Sequence, residues 1–128
     1  MKKLLLDTHV VLWIAENSAM LSNKAKTAVL NKTYGKFVSI ASAWEVAIKL
    51  GTKKLSLDGG LAEFFRMVDE NGFTMLSIER AYLHQLSALA DFHRDPFDRL
   101  IIATAAVEGM MLITADENFR KYDVPLLW

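Results

Sequence analysis

The stretch that decides the fold is LLLDTHVVLW, residues 4–13, in which three leucines run into one aspartate and then into a second apolar segment. The leucines are continuous and do not alternate with polar residues, which predicts a strand covered on both faces. Asp7 stands where that strand ends, and aspartate is a favoured residue at the start of a helix. A buried strand that passes through an acid into a helix is therefore the first unit of the predicted fold.

The same unit recurs along the chain. Further apolar runs are KFVSI (36–40), FTMLSI (73–78), MMLIT (110–114) and VPLL (124–127). Helical patterns lie between them, amphipathic at 21–29 and 61–68 and more fully buried at 41–50 and 97–108. This alternation predicts a three-layer α/β/α sandwich with a mostly parallel sheet of four to five strands and right-handed crossovers. Pro125 cannot donate to a strand ladder, so we expect the last strand at an edge.

Length and composition narrow the class of protein. The 128 residues predict a single domain over 1–128, within the usual ~100 to 150 residues. Fifteen basic residues balance fifteen acidic ones, so there is no global positive field, and a nucleic acid, if one is involved, is expected as a locally held substrate and not as a tightly bound partner. The absence of cysteine excludes disulfides and thiolate metal sites. No run approaches the ~18 apolar residues of a membrane span, so we expect a cytoplasmic protein with no membrane association.

Acids stand at four junctions of this predicted architecture. Asp7 ends the first strand, Glu45 follows the second, Asp98 lies in the helix that leads to the fourth, and Asp116 follows the fourth. In open parallel sheets, sites form outside the carboxyl ends of the strands, where these junctions lie side by side. The sequence therefore predicts that the four carboxylates are neighbours.

Each acid taken alone also has a structural explanation. Asp7 can cap a helix, a role worth roughly 1 kcal/mol. Ser42 with Glu45, and Thr114 with Glu117, have the spacing of capping boxes. Acids are also favoured at helix starts by the helix dipole. One such residue would say little about function, and only the set of four points beyond capping.

Four neighbouring carboxylates repel one another, and burial adds to the cost, so some would hold protons at neutral pH unless a cation balanced them. A ligand set of oxygens without histidine or cysteine suits a hard ion, Mg²⁺ or Mn²⁺. Mg²⁺ held by a few carboxylates keeps waters, one of which can attack a phosphodiester while the ion neutralises its charge. The set of acids therefore indicates a nuclease.

The segment DPFDRLIIATA, residues 95–105, contains two acids with different predicted roles. Asp95 precedes Pro96, and proline is favoured at the first position of a helix, so Asp95 is the expected N-cap. Asp98 then falls at the third helical position, where it could serve a capping box or the helix dipole. Because the cap is already supplied, Asp98 is the better candidate for a metal ligand.

With these acids located, the sequence resembles the PIN-domain ribonucleases, and more narrowly the VapC-type toxins of bacterial toxin-antitoxin pairs. The resemblance covers nearly the whole chain and rests on four segments in order: LLLDTHVVLW (4–13), ASAWEVAIKLGTKKL (41–55), HRDPFDRLIIATA (93–105) and TADENF (114–119). It implies Mg²⁺-dependent cleavage of RNA, with Asp7, Glu45, Asp98 and Asp116 around the metal and Thr114 helping to hold the site. It also implies a homodimer and neutralisation by a cognate antitoxin.

The chain departs from the family pattern at one position. Many relatives have a further aspartate two residues after the fourth acid, where this chain has Asn118. An amide oxygen can bind a metal but brings no charge, so whether one or two metal ions bind stays open.

Other polar residues near the four acids have two interpretations each. Lys49 can pair with Glu45 at i, i+4 or, with Lys53 and Lys54, contact substrate phosphate. For Arg99, an ion pair with Asp95 or another acid is favoured over a phosphate contact. The histidines share no ligand spacing and are expected in surface or structural roles: His9, His84 and His93. The tryptophans Trp13 and Trp44 are expected in the core or at a protein interface.

Two other functions remain as alternatives. A PIN-like interaction module without catalysis would be expected to have lost acids, whereas all four are present. A receiver-type phosphoacceptor domain also binds Mg²⁺ on a doubly wound fold. Such a domain would have paired acids near the first strand and a lysine after a late strand. Here Asp7 is followed by Thr8 and His9, and no lysine directly follows MMLIT.

Overall fold

The structure is a computed structural model that describes residues 2–128 and contains a five-stranded sheet. The strands are β1 Lys3–Leu6, β2 Gly35–Ser39, β3 Thr74–Leu76, β4 Met111–Ile113 and β5 Leu126–Leu127. They lie in the order β3-β2-β1-β4-β5, and every neighbouring pair is parallel. The predicted α/β/α fold is confirmed, although β3 and β5 are shorter than the apolar runs that predicted them.

The helices that the structure describes are α1 Thr8–Glu16, α2 Asn23–Leu30, α3 Ile40–Gly51, α4 Gly60–Glu70, α5 Arg80–Ser87 and α6 Pro96–Glu108, with a short 3₁₀ helix at Glu117–Lys121. Helix α5 is not among the predicted helices. Its residues Tyr82, Leu83 and Leu86 have helical spacing, although only Tyr82 is buried. Within residues 2–128, no helix has the length and apolar character needed to cross a membrane.

The continuous apolar run of β1 is explained by packing on both faces of the sheet. Leu4 and Leu6 belong to the cluster formed with α1 to α4, whereas Leu5 packs with Ile101 and Ile102 of α6 on the opposite face. All three leucines are completely buried. Successive side chains of a strand point to opposite faces, so a central strand between two layers of helices is apolar at every position.

Strand β5 is at an edge of the sheet, as Pro125 predicted. The carbonyl of Pro125 accepts a hydrogen bond from the N–H of Leu112 at 2.9 Å, on the side that faces β4. Proline has no N–H to offer, and at an edge strand none is needed on the outer side.

The order of the strands fixes the position of the site. From the central β1 the chain builds outward to β2 and β3, and then crosses to β4 and β5 on the other side of β1. The crevice of an open parallel sheet lies at the carboxyl ends of the strands where this direction reverses, which is between β1 and β4. Asp7 follows β1 and Thr114 follows β4, and the N–H of Asp7 donates to the carbonyl of Ile113 at 3.1 Å.

Candidate active site

Asp7 and Thr114 tie the two central strands together at the crevice. Asp7 is the N-cap of α1, and its Oδ1 accepts from the N–H of His9 at 2.8 Å. Its Oδ2 accepts from the hydroxyl of Thr114 at 2.6 Å, and the same hydroxyl oxygen accepts from the N–H of Asp116 at 3.1 Å. Asp7 is only 4% exposed, and this burial raises the pKa of its carboxyl against the opposing effect of the two hydrogen bonds. The predicted cap is present, in a carboxylate far more buried than a cap requires.

Glu45 is not part of a capping box. Helix α3 starts directly after Ser39, whose hydroxyl oxygen accepts from the N–H of Ala41 at 3.0 Å and caps the helix. Ser42 instead accepts a hydrogen bond from the hydroxyl of Thr8 at 2.8 Å, so Ser42 and Glu45 do not form the capping box that their spacing allows. The physical reason is that α3 begins at the end of β2, close to the predicted start at residue 41, which places Ser42 and Glu45 inside the helix.

One carboxylate oxygen of Glu45 has no partner. The ammonium of Lys49 donates to Oε2 at 2.8 Å, which confirms the predicted i, i+4 pair and raises the pKa of Lys49. The other oxygen, Oε1, is buried and accepts no hydrogen bond in the part of the chain that the structure describes. A buried acceptor without a partner costs free energy, and each one in a native protein calls for an explanation such as an ion.

Asp95 and Asp98 divide the start of α6 as predicted. Asp95 is the N-cap, with its Oδ1 accepting from the N–H groups of Phe97 at 2.9 Å and Asp98 at 3.0 Å, and Pro96 is the first residue of the helix. The carboxylate of Asp98 takes no part in this cap. Burial and the nearby charges, first that of Asp7 and then that of Asp95, raise the pKa of Asp98 to about 8. Asp98 therefore carries a proton at neutral pH unless a cation is bound beside it.

Asp116 is the most exposed of the four acids and is held by both of its oxygens. Oδ1 accepts from the backbone N–H of Asn118 at 2.9 Å and caps the 3₁₀ helix, while Oδ2 lies 3.0 Å from Nε2 of His93. Burial favours the protonated form, but the contacts from Asn118 and His93 outweigh it and hold the pKa of Asp116 below its usual value. Asp116 provides the cap of the 3₁₀ helix, so Thr114 and Glu117 do not form the capping box that their spacing allows.

All four predicted acids converge on one place. The charges of Asp7, Glu45 and Asp116 each raise the pKa of Asp98, which requires that these carboxylates lie near it. The cluster therefore has excess negative charge. Within residues 2–128 one buried oxygen of Glu45 has no hydrogen-bond donor, and the four acids offer only oxygen atoms as ligands. This donor set fits a hard divalent cation such as Mg²⁺ or Mn²⁺.

His93 belongs to the cluster, although its sequence position did not predict this. Its Nε2 also lies 3.2 Å from Oδ2 of Asp98, and the potential ligand atoms of His93, Asp98 and Asp116 are all within 4.8 Å of one another. Asp116 is 23 residues away from His93, so no local spacing reveals the contact. The sequence signal for a structural role was that His93 stands two residues before the helix cap Asp95. In the structure its Nδ1 accepts from the N–H of Asp95 at 3.2 Å.

Arg99 lies beside the cluster but is directed at the loop before α6. Its guanidinium donates to the carbonyl oxygens of Leu89, Ala90 and His93 at 3.0 to 3.3 Å. It is also 3.6 Å from Asp91, which is the ion pair with another acid that the sequence favoured. An arginine with these partners supports the loop, and its phosphate-binding role stays a prediction.

A groove opens next to Asp7 and Asp116. The part nearest the carboxylates is a cavity of about 280 Å³, and a neighbouring cavity of about 430 Å³ shares Ala115 and Asp116 with it. We call the two cavities together the aromatic groove, whose lining includes His9, Trp13, Lys24, Arg120 and Trp128. The acidic Glu117 and the apolar Leu126 also line it. The ring centroids of His9 and Trp13 are 5.9 Å apart and those of Trp13 and Trp128 are 5.7 Å apart. Trp13 is half-buried and lines the part of the groove nearest the carboxylates.

A parallel α/β/α sheet with carboxylates gathered between β1 and β4 defines the class of PIN proteins. The family model of the PIN domain matches residues 4–125, and the chain belongs to this family. Among curated relatives, the chain is 32% identical over 131 residues to Ribonuclease VapC22 of Mycobacterium tuberculosis, covering 98% of this chain and 95% of that protein.

Solved structures share the fold. VapBC2 from Rickettsia felis, bound to a DNA fragment from its promoter, matches with a TM-score of 0.71 at 14% identity, over 97% of this chain and 96% of that chain. DNA-bound VapBC from Salmonella typhimurium matches with a TM-score of 0.70 at 16% identity, over 98% and 97% of the two chains. At these identities the two matches bear on the fold alone.

Proposed function

We propose that this chain is a cytoplasmic, metal-dependent endoribonuclease of the VapC type, built as one PIN-like domain over residues 1–128. Two independent facts support the activity: the curated relative at 32% identity is named a ribonuclease, and four carboxylates meet at the crevice. The observation that carries the proposal is the unpartnered buried oxygen of Glu45, because a carboxylate oxygen in that state is stabilised by a cation.

The proposed ligands of the cation are Asp7, Glu45, Asp98 and Asp116, with Mg²⁺ or Mn²⁺ as the ion. When bound, such an ion supplies Lewis acidity that neutralises charge on a phosphodiester and lowers the pKa of a water nucleophile. To serve as a ligand, Asp98 would release its proton to solvent, because a cation would offset the burial and the nearby negative charge that raise the pKa of Asp98 to about 8.

Neighbouring residues orient these carboxylates. The hydroxyl of Thr114 fixes one oxygen of Asp7, and the ammonium of Lys49 fixes Oε2 of Glu45, so that Oε1 is the oxygen offered to the ion. Lys49 acts here as a partner of Glu45, which leaves phosphate contacts to other cations. Asn118 contributes through its backbone N–H to Asp116.

The aromatic groove is the proposed path of the RNA strand. Trp13 and Trp128 offer faces on which bases can stack, an interaction that is tolerant of sequence and worth ~1 to 3 kcal/mol per base. Lys24 and Arg120 supply the local positive charge that phosphates need in a chain of zero net charge. The groove begins at Asp7 and Asp116, so a strand lying in it has its backbone at the carboxylates.

We also propose a protein antitoxin as partner, because the matched solved structures are VapBC complexes. A separate cavity of about 370 Å³ between α1 and α4 is lined by apolar residues such as Leu12, Phe64 and Met67, with Glu16 and Glu63 beside them. Co-expression with the product of an adjacent small reading frame, followed by affinity purification and a cleavage assay, tests whether that product is an antitoxin of this chain. A product that neither copurifies nor inhibits contradicts the assignment.

The proposed homodimer is supported by the apolar residues that α3 exposes. Trp44 and Ile48 lie one turn apart and are 56% and 43% exposed. Light scattering on the wild type and on Trp44→Arg measures the oligomeric state. A dimer that dissociates in the variant supports the proposal, whereas a monomeric wild type contradicts it.

The activity itself is tested with purified protein and a structured RNA. We expect cleavage in Mg²⁺ or Mn²⁺, none in EDTA, and restoration when the ion is added back. Asp98→Asn should abolish cleavage, while Asp95→Asn, three residues away at the same helix start, serves as the matched control and should cleave normally. Cleavage that persists in EDTA, or that survives Asp98→Asn at full rate, contradicts the proposal.

A further inference from the structure

His93 lies between two of the acids in the segment that joins α5 to α6. Its side chain is 11% exposed, and its Nε2 is hydrogen-bonded to Oδ2 of Asp116 at 3.0 Å and lies 3.2 Å from Oδ2 of Asp98. By distance alone the three side chains have the arrangement of a metal site. Whether His93 would bind the ion or act on the carboxylates depends on which ring nitrogen carries the proton.

The hydrogen bond at the other ring nitrogen answers this. Nδ1 of His93 accepts from the backbone N–H of Asp95 at 3.2 Å, so its lone pair is in use. A neutral imidazole has one donor and one acceptor nitrogen, which places the ring proton on Nε2, facing Asp98 and Asp116. A histidine that binds a metal through Nε2 normally donates its Nδ1–H to an acceptor, but here the N–H of Asp95 stands in that place.

The segment that carries His93 is held from two sides. The hydroxyl oxygen of Tyr122 accepts from the N–H of Phe92 at 3.0 Å and of His93 at 2.8 Å, and the hydroxyl donates to the carbonyl of Ala90 at 2.7 Å. Arg99 donates to the carbonyls of Ala90 and His93 at 3.0 and 3.2 Å. These bonds fix the backbone of His93 and therefore the direction of its ring.

The ring itself is packed as well as bonded. Its centroid lies 5.4 Å from that of Phe119, a fully buried residue, in an edge-to-face arrangement at 76°. A side chain held by its backbone, by its Nδ1 and by an aromatic neighbour has little freedom to turn Nε2 away from the carboxylates.

We propose that His93 is a positioning residue, which donates its Nε2–H to Asp116 and keeps Asp116 next to Asp98. Asp116 is then fixed at both oxygens, by His93 and by the N–H of Asn118, whereas Oε1 of Glu45 has no such donor among residues 2–128. The ion is held chiefly by Asp7, Glu45 and Asp98, and Asp116 acts partly through His93. This inference rests on the proposed metal-dependent function.

The position of the ring proton is measured without metal or substrate. Nuclear magnetic resonance of ¹⁵N-labelled, metal-free protein at pH 8 distinguishes protonated from unprotonated ring nitrogens. We expect Nε2 of His93 to be protonated and Nδ1 to be unprotonated. The reverse tautomer, or a ring protonated at both nitrogens, overturns the inference.

Binding of Mn²⁺ tests the consequence for the metal. Calorimetric titration should show that His93→Leu binds Mn²⁺ about 10- to 100-fold more weakly than the wild type, the usual effect of losing a partner that orients a ligand. His93→Gln, whose amide can place an N–H near the position of Nε2, should recover most of this loss. Equal affinity in the wild type and His93→Leu overturns the inference, as does a loss that glutamine does not repair.

Electron spin-echo spectroscopy of bound Mn²⁺ separates positioning from coordination. We expect no directly coordinated nitrogen in the wild type. A nitrogen signal that disappears in His93→Gln would make His93 a ligand and overturn the inference. A wild type that binds no Mn²⁺ at all contradicts the proposed function, while the resonance measurement still decides the hydrogen-bond arrangement of His93.

Discussion

The two halves of the carboxylate cluster are built differently. The buried half consists of Asp7 and Glu45, each 4% exposed and held by Thr114 and Lys49. The loop half consists of Asp98, His93 and Asp116, whose side chains are 11% to 33% exposed. The buried half stands on a central strand and on a helix that starts at the end of the neighbouring strand, whereas the loop half depends on contacts between distant segments.

Because of this difference, the cluster has a rigid part in the core and a part that can be reached from the groove. In the buried half the carboxylates are fixed by the same elements that form the core, and their free energy depends on a counter-charge. In the loop half Asp116 lines the groove, as Asp7 does from the buried half, and it is held by hydrogen bonds from His93 and Asn118. We therefore expect Asp7 and Glu45, together with Asp98 of the loop half, to hold the ion, and His93 with Asp116 to tune its position.

The largest expected effect is the loss of cleavage rate when a ligand of the buried half is substituted, compared with the loss when Asp116 of the loop half is substituted. Asp7→Asn should lower the single-turnover rate of RNA cleavage by about 10³-fold or more, because losing a ligand charge removes several kcal/mol of stabilisation by the ion. Asp116→Asn should lower it by only about 10- to 100-fold, as a residue that acts partly through His93. Equal losses in the two variants would mean that the halves act as one unit.

The next effect is the pH dependence of stability without metal. The pKa of Asp98 is raised from 3.8 to about 8, so between these values the folded protein holds a proton that the unfolded chain has released. The free energy of unfolding should therefore fall as pH rises from 5 to 8, by a few kcal/mol. Urea denaturation in EDTA measures this slope, and Asp98→Asn should remove most of it.

The other groups that face Asp98 have distinguishable effects. Asp7, whose pKa is also raised, contributes a slope of the same sign. Asp116, whose pKa is lowered, changes stability only below pH 4 and with the opposite sign. Saturating Mn²⁺ should flatten the slope in the wild type but not in Asp7→Asn. A wild-type profile that is flat in EDTA would mean that Asp98 is ionised without a cation.

The buried half follows largely from the sequence. The apolar run before Asp7 predicts a central strand, and a central strand ends at the crevice. The spacing of Glu45 and Lys49 predicts their ion pair, which the structure contains. The sequence places this helix at 41–50 but does not decide which serine caps it, because Ser39 and Ser42 are equally good caps and the end of β2 determines that Ser39 is used.

The loop half follows from the sequence only in part. Asp95, Pro96 and Asp98 have the local pattern of a helix start, and their positions are confirmed. His93 was expected in a surface or structural role. Its contact with Asp116 could not be seen in the sequence, because it joins segments 23 residues apart. Such contacts arise from packing of the whole chain, and no local periodicity of the sequence predicts them.

A smaller effect tests the support of the loop half. Tyr122→Phe removes the acceptor of two backbone N–H groups and the donor to Ala90, and should lower the free energy of unfolding by about 1 to 3 kcal/mol. It should also weaken Mn²⁺ binding, because His93 loses its fixed backbone. Tyr34→Phe, in the cluster on the other face of the sheet, is the matched control and should leave Mn²⁺ binding unchanged. Weakened binding in both variants would mean that the effect is not specific to the support of His93.

The smallest effect belongs to Asp95, the acid of the same helix start that is not a proposed ligand. Asp95→Asn should change stability by no more than about 0.5 kcal/mol, because asparagine caps a helix as well as aspartate does. Its backbone N–H still donates to His93, so the loop half keeps its geometry. Removing its charge should lower the pKa of Asp98, since the charge of Asp95 is one cause of the raised value. The pH slope in EDTA should therefore become shallower while the cleavage rate in Mn²⁺ stays the same. A fall in cleavage comparable to that of Asp98→Asn would show that the two aspartates share one role and that the halves are wrongly divided.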